Sequence, residues 1–270
     1  MQIPFTKMHG LGNDFVVLDA RETRLPPLGP ATAAALADRH TGIGCDQLVL
    51  IEPSDRADWK MRIFNADGSE VEACGNAARA VGMLIGAAVS LETLGGEIHA
   101  VPGDDGGIAV DMGVPRFGWQ DIPLAYAMDT LSLPLGWDGL ENPVCVNVGN
   151  PHAVFFVGDA DAVALDTLGP VIENDAVFPE RINVNVANVT ARDAISLRVW
   201  ERGAGLTRAC GTGACATAVA AMRRGLTDRE VTVTLPGGAL SIRWNDADRI
   251  TMTGPASIAF TGQFDWGDYA

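Results

Sequence analysis

Lysine is almost missing from this chain of 270 residues: only Lys7 and Lys60 are present. Few amines could therefore hold an aldehyde cofactor as a Schiff base, and no cofactor is expected. Cysteine is sparse and odd in number, at positions 45, 74, 145, 210 and 215, with no CxxC pair. That pattern argues against a disulfide scaffold and for a reducing, cytoplasmic setting. The four histidines, at 9, 40, 99 and 152, lack metal-ligand spacing, so no metal is expected. Apolar runs are short, the longest being 80–89 and 213–222, well below the roughly 20 residues that cross a bilayer. The first ten residues have no basic stretch followed by an apolar core, so they do not read as a signal peptide. Basic residues number 19 against 34 acidic ones, giving a net charge of −15. Such a chain repels phosphate backbones and anionic lipid, which sets aside nucleic-acid and membrane partners. Two phosphate-binding lookalikes also fail: His9-Gly-Leu-Gly-Asn-Asp lacks the third glycine of a dinucleotide loop, and Cys210-Gly-Thr-Gly lacks the lysine of a P-loop.

What is present is a folded composition, 47% apolar and 20% charged, with an internal repeat at half the chain length. The segment 62–80, RIFNADGSEVEACGNAARA, aligns with 198–216, RVWERGAGLTRACGTGACA, at an offset of 136 (198 − 62). Six of the nineteen pairs are identical, Ala-Cys-Gly among them. Nearly the same offset pairs Asn13 with Asn150, Gln47 with Asn183, Asn65 with Glu201 and Cys74 with Cys210. Two similar halves related by a pseudo-twofold axis follow. The boundary is placed near 113–120, with an N-terminal half of 1–117 joined by 263–270, and a C-terminal half of 118–262.

Alternating or β-branched runs predict strands at 15–19, 47–51, 60–65, 154–157, 183–189, 195–201, 230–235 and 249–253, punctuated by glycine pairs. Each half also predicts one apolar helix starting just after Cys74 or Cys210, buried all round and therefore wrapped by sheet. Shorter helices are expected at 31–39 and 162–168. The fold class is α+β, a mostly antiparallel sheet around a central helix in each half.

A cysteine at a helix start has a distinct chemistry. Unpaired backbone N–H groups and the helix dipole bind anions there and are expected to lower a thiol's pKa. Two such ends facing one another across a cleft would grip one carboxylate and set a sulfur on each side of the adjacent carbon. That is the arrangement for two-base inversion of a stereocentre: a thiolate removes the α-proton and a thiol supplies one to the opposite face. Donors at the helix ends would stabilise the carbanion as it forms. His152 and Glu201 lie near enough in the pattern to bias which sulfur is protonated. Cys45, Cys145 and Cys215 read as core filling.

With these residues in view, the sequence resembles the diaminopimelate epimerase family along nearly its whole length. The resemblance rests on Lys7-Met-His-Gly-Leu-Gly-Asn-Asp-Phe15, Asp46-Gln-Leu48, Phe64-Asn-Ala-Asp-Gly-Ser-Glu-Val71, Cys74-Gly-Asn76, Gly149-Asn-Pro-His152, Arg181-Ile-Asn183, Glu201-Arg-Gly-Ala-Gly205 and Ala209-Cys-Gly-Thr-Gly-Ala-Cys215. It implies a cofactor-independent isomerase interconverting LL- and meso-2,6-diaminopimelate for lysine and cell-wall synthesis. It also implies two barrel-like domains and a homodimer. Carried over, Cys74 and Cys210 match the acid/base pair, and His152 and Glu201 match residues that tune it. Asn13, Gln47, Asn65, Asn150, Asn183, Glu201 and Arg202 match side chains that hold substrate, and Gly75, Asn76, Gly211 and Thr212 match the helix-end donors. The chain departs from the family pattern at Ala77, where glycine is frequent, at Leu206, where glutamate is frequent, and at Cys45, where an apolar residue is common. Proline racemases and hydroxyproline epimerases share the chemistry but need fewer polar anchors. A thiol redox or metal-binding protein would want a CxxC or a ligand cluster, and a binding module would not need activated thiols.

Overall fold

In the computed structural model, residues 1–72, 74–104 and 106–269 are described. The chain divides into two compact units, Met1–Val110 with Gly254–Ala270, and Asp111–Thr253.

The first unit contains β1 (Gln2–Gly10), β2 (Asn13–Asp19), α1 (Pro30–Ala37), β3 (Gln47–Glu52), β4 (Trp59–Asn65), β5 (Glu70–Val71), α2 (Gly75–Ile85), β6 (Val89–Thr93), β7 (Gly96–Pro102) and β8 (Ile108–Asp111). Strand β3, Gln-Leu-Val-Leu-Ile-Glu, is buried at all four inner positions, because α1 packs on it and on β4 while the core fills its other face. Helix α2 buries Gly75 through Gly82 and touches β1, β6 and β7, so the sheet curls around it. It stops at Gly86, whose φ of 72° is the left-handed cap that glycine adopts without strain.

The second unit contains β9 (Gly136–Trp137), β10 (Leu140–Glu141), β11 (Val144–Asn147), β12 (Pro151–Phe156), α3 (Leu165–Glu173), β13 (Asn183–Ala191), β14 (Ala194–Glu201), β15 (Gly205–Thr207), α4 (Gly211–Arg223), β16 (Glu230–Leu235), β17 (Gly238–Trp244) and β18 (Ile250–Gly254). The last strand, β19 (Ser257–Asp265), returns to the first unit and pairs antiparallel with β1. Helix α4 touches β11, β12, β13, β14, β16 and β17, and its residues 213–221 are all buried. Helix α3 starts and ends later than the predicted 162–168. Pro170 sits inside it and supplies no N–H to the helical ladder, and the Asn174 side-chain amide donates to the Pro170 carbonyl at 2.8 Å to close the end.

The repeat holds strand by strand. Leu48 pairs with Phe64 across β3 and β4, and Val184 with Trp200 across β13 and β14, each shifted by 136 (184 − 48, 200 − 64). Val89 pairs with Ala100, and Val231 with Ile242, each shifted by 142 (231 − 89, 242 − 100). The offset grows between these ladders, where α4 has 13 residues against 11 in α2. Each unit contains two parallel pairs among its described residues, at matching places: β2 with β3 and β4 with β6 in the first, β12 with β13 and β14 with β16 in the second.

Candidate active site

In the first unit Cys74 is the half-buried residue before α2, with an extended backbone at φ −147° and ψ 112°. Gly75 and Asn76 follow as the first helical residues and are buried. Asn76 Nδ2 donates to Asn13 Oδ1 at 3.1 Å, and Asn13 Nδ2 donates to Asp46 Oδ2 at 3.1 Å. Gln47 and Asn65 are register partners on β3 and β4, and Gln47 Nε2 donates to Asn65 Oδ1 at 3.2 Å. Their neighbours hold these amides still, yet the buried oxygens Gln47 Oε1 and Asn76 Oδ1 have no hydrogen-bond partner among the described residues. Buried acceptors without a donor are costly.

A cluster behind Asn13 was not read from the sequence. Lys7 Nζ donates to Asp14 and to the Gly44 carbonyl, and Arg39 reaches both Asp14, at 2.6 Å, and Asp46, at 2.7 Å. Burial opposes ionisation of Asp14, but the bonds from Arg39 and Lys7 outweigh it and hold the carboxyl well below the usual range. The available signal was a lysine in a strand of otherwise apolar alternation, and its partners lie 7 and 37 residues away.

In the second unit Cys210 precedes α4 in the same extended geometry, φ −132° and ψ 106°. It is buried at 3% exposure and its Sγ accepts from Gly213 N at 3.3 Å, with Thr212 Oγ1 at 3.5 Å. Gly211 and Thr212 are the first helical residues. Gly213 is small for a reason: a Cβ there would lie 3.1 Å from Cys210 Sγ. The expectation that the helix end lowers this thiol's pKa is corrected here. Burial pushes Cys210 well above the ordinary thiol value, the Glu201 carboxylate adds to the rise, and the bonds from Thr212 and Gly213 only oppose it. Cys210 therefore carries its proton at neutral pH.

Glu201 ends β14 and accepts from Thr207 Oγ1 at 2.6 Å. Asn183 opens β13, donating to the Pro151 carbonyl at 2.8 Å and accepting from Arg202 N at 2.9 Å. Arg202 also donates to the Glu180 carbonyl at 2.9 Å. The loop after Glu201 is held by Glu173, which sequence reading missed. This 5% exposed carboxylate accepts from Trp200 Nε1 at 2.7 Å, Gly203 N at 2.9 Å and Arg181 at 3.2 Å. His152 is fully buried between the Asn150 amide, 2.9 Å from Nε2, and Asn185, 3.2 Å from Nδ1. Burial lowers its pKa to about 4, and the Arg202 charge adds to the lowering against the Asn185 bond. Asn185 was also missed.

Asn13 thus meets Asn76 at the start of α2, beside Gly75, while Gln47 and Asn65 pair with each other on β3 and β4. Asn150, His152, Asn183, Glu201, Arg202, Gly211 and Thr212 gather around the start of α4. Among the described residues no group of three or more His, Cys, Asp or Glu side chains is placed to hold a metal ion. No described helix is long and apolar enough to cross a membrane.

Solved structures share the fold. A Bacillus anthracis phenazine biosynthesis protein of the PhzF family superposes with a TM-score of 0.70 at 16% identity, covering 98% of this chain and 99% of that one. A hydroxyproline epimerase from Agrobacterium vitis gives 0.69 at 15%, covering 100% and 94%. At such identities the likeness speaks for the fold alone. Sequence relatives say more. The chain is 70% identical to the diaminopimelate epimerase of Erythrobacter litoralis HTCC2594 over all 270 residues of both chains. It is 55% identical to that of Zymomonas mobilis ZM4 over the full length of both. The family model described as diaminopimelate epimerase matches residues 5–118 and 144–259, which takes in both helix-start cysteines. With that match and full-length relatives at this identity, the chain belongs to the diaminopimelate epimerase family.

Proposed function

We propose that the chain interconverts LL- and meso-2,6-diaminopimelate without a cofactor, with Cys74 and Cys210 as the two acid/base groups. The observation that carries this reading is the register-matched repetition of an extended cysteine before a buried helix in each unit. Cys210 starts as the thiol, because burial and Glu201 keep its proton on. Cys74, as thiolate, takes the α-proton, the carbon flattens, and Cys210 gives its proton to the opposite face. In the reverse direction the roles exchange. The backbone N–H groups of Gly75, Asn76, Gly211 and Thr212 bind the carboxylate next to the reacting carbon and stabilise charge as it moves onto its oxygens. Asn13, Gln47, Asn65, Asn150, Asn183, Glu201 and Arg202 hold the amino and carboxylate groups of both ends. His152, neutral at pH 7, holds Asn150 in place. The protein acts in the cytoplasm as a homodimer; the cysteine pattern supports the first and the family resemblance the second.

The test is substrate choice. Incubated separately with LL-diaminopimelate, L-proline and trans-4-hydroxy-L-proline, with no cofactor added, the protein should produce meso-diaminopimelate and leave both ring compounds unchanged. Epimerised proline in place of meso-diaminopimelate would move the reading to the cyclic imino acids.

A further inference from the structure

Behind His152 runs a line of polar side chains that nothing in the proposed chemistry uses directly. Asn185 Nδ2 donates to the Gly213 carbonyl at 3.0 Å and to Thr217 Oγ1 at 2.9 Å, both on α4, while its oxygen faces His152 Nδ1 at 3.2 Å. His152, Asn185 and Thr217 are all fully buried. The fold itself does not require them. The equivalent places in the first unit are Phe15 (152 − 137), Val49 (185 − 136) and Val81 (217 − 136), each no more than 1% exposed. One unit fills this space with an apolar core, and the other pays the desolvation of three polar groups to build a connected line.

The line has only one consistent hydrogen assignment. The Gly213 carbonyl can only accept, so Asn185 must aim its amino group at α4 and its oxygen at His152. An oxygen there requires a hydrogen on Nδ1. A second hydrogen on Nε2 would make a buried imidazolium, which the surroundings oppose. Nε2 is therefore a bare acceptor. The Asn150 amide lies against it, placed with its oxygen at 2.9 Å. The two ends of an amide are alike in size, and the hydrogen-bond chemistry decides which end faces the ring. A bare nitrogen needs a donor, so the amino end of Asn150 belongs there and its oxygen belongs on the far side.

We propose that Asn185 is a positioning residue: anchored to α4, it fixes the His152 tautomer and thereby turns the Asn150 carbonyl oxygen outward as an acceptor for the ammonium group of the substrate. The proposal rests on the reading of Asn150 as a substrate contact. It adds that the selectivity of this contact for a donor is set two residues deeper in the core, by a side chain that never meets the ligand.

Nitrogen NMR of the ligand-free, histidine-labelled full chain tests the geometry apart from activity. His152 should show the hydrogen on Nδ1, and Asn185→Leu should abolish that preference. Kinetics test the consequence. Because the Asn150 contact is made in ground and transition state alike, Asn185→Leu should raise KM for LL-diaminopimelate about tenfold and leave kcat within about twofold. A second variant, His152→Phe with Asn185→Val and Thr217→Val, copies the apolar set of the first unit. It should fold with a wild-type circular dichroism spectrum and show the same rise in KM. A hydrogen on Nε2 of His152 in the parent overturns the proposal. So does a wild-type KM in either folded variant, or a loss confined to kcat. A parent protein that turns over no diaminopimelate would sink the functional reading instead, and the nitrogen spectrum would still decide the tautomer.

Discussion

At Cys210 a single proton is contested by burial, a neighbouring carboxylate and two hydrogen bonds, and burial with the carboxylate wins. Removing the charge should tip the balance. Glu201→Gln should let the Cys210 thiolate form at lower pH, read as thiolate ultraviolet absorbance against pH with a Cys210→Ser reference subtracted. An unchanged titration would mean the carboxylate does not act on the sulfur. Gly213→Ala probes the same sulfur by size. The new methyl would lie 3.1 Å from both Cys210 Sγ and Val199 Cγ2, and a packed core yields to such a group at about 1–3 kcal/mol. Chemical denaturation should show that loss, together with reduced turnover, because the helix start and the thiol must separate. Alanine already stands at the equivalent place in the first unit, at Ala77 (213 − 136), so the two thiols sit at helix starts of different width.

Elements differed in how plainly the sequence announced them. Strand β16, Glu-Val-Thr-Val-Thr-Leu, alternates exposed and buried along its whole length, and the predicted span 230–235 is the observed one. Helices α2 and α4 start where the cysteine repeat placed them. Strand β1 escaped notice because Pro4 interrupts it and Lys7 is buried only by virtue of partners elsewhere in the chain. The residues of the site that carry family motifs were legible; those that hold them were not. Asn185 sits inside Asn-Val-Asn-Val-Ala as one polar residue of an alternating strand, and its partners are 28 to 33 residues away. Glu173 is similar: it lies at the end of α3 and accepts from Trp200 on β14 and from Gly203 in the loop after Glu201, across 27 and 30 residues. Glu173→Ala should strand three donors at a cost of about 1–3 kcal/mol and loosen the loop that carries Arg202. The expected signature is a lower Tm with KM raised more than kcat is reduced. Wild-type values of both would show that the loop holds its shape without this carboxylate.

For the molecule as a whole, buried neutral His152 ties stability to pH. Its folded pKa of about 4 lies below the ordinary 6.5, so between these values the unfolded chain binds the additional proton. Stability from this group is therefore intact above about pH 6.5 and lost as pH falls toward 4, a swing of roughly 3 kcal/mol. Urea unfolding at pH 7 and pH 4 should show a stability difference smaller by about that amount in His152→Phe than in the parent. Equal differences would mean that His152 is not held neutral. Heavy water distinguishes two separate proton-handling groups from a single one. LL-diaminopimelate is incubated with the protein and no cofactor, and product and remaining substrate are analysed within the first few per cent of turnover. Two thiols on opposite faces should give meso product with one solvent deuterium at the inverted carbon and recovered LL substrate with none. Meso product that keeps the substrate's own hydrogen, or product that forms only after pyridoxal phosphate is added, would contradict it.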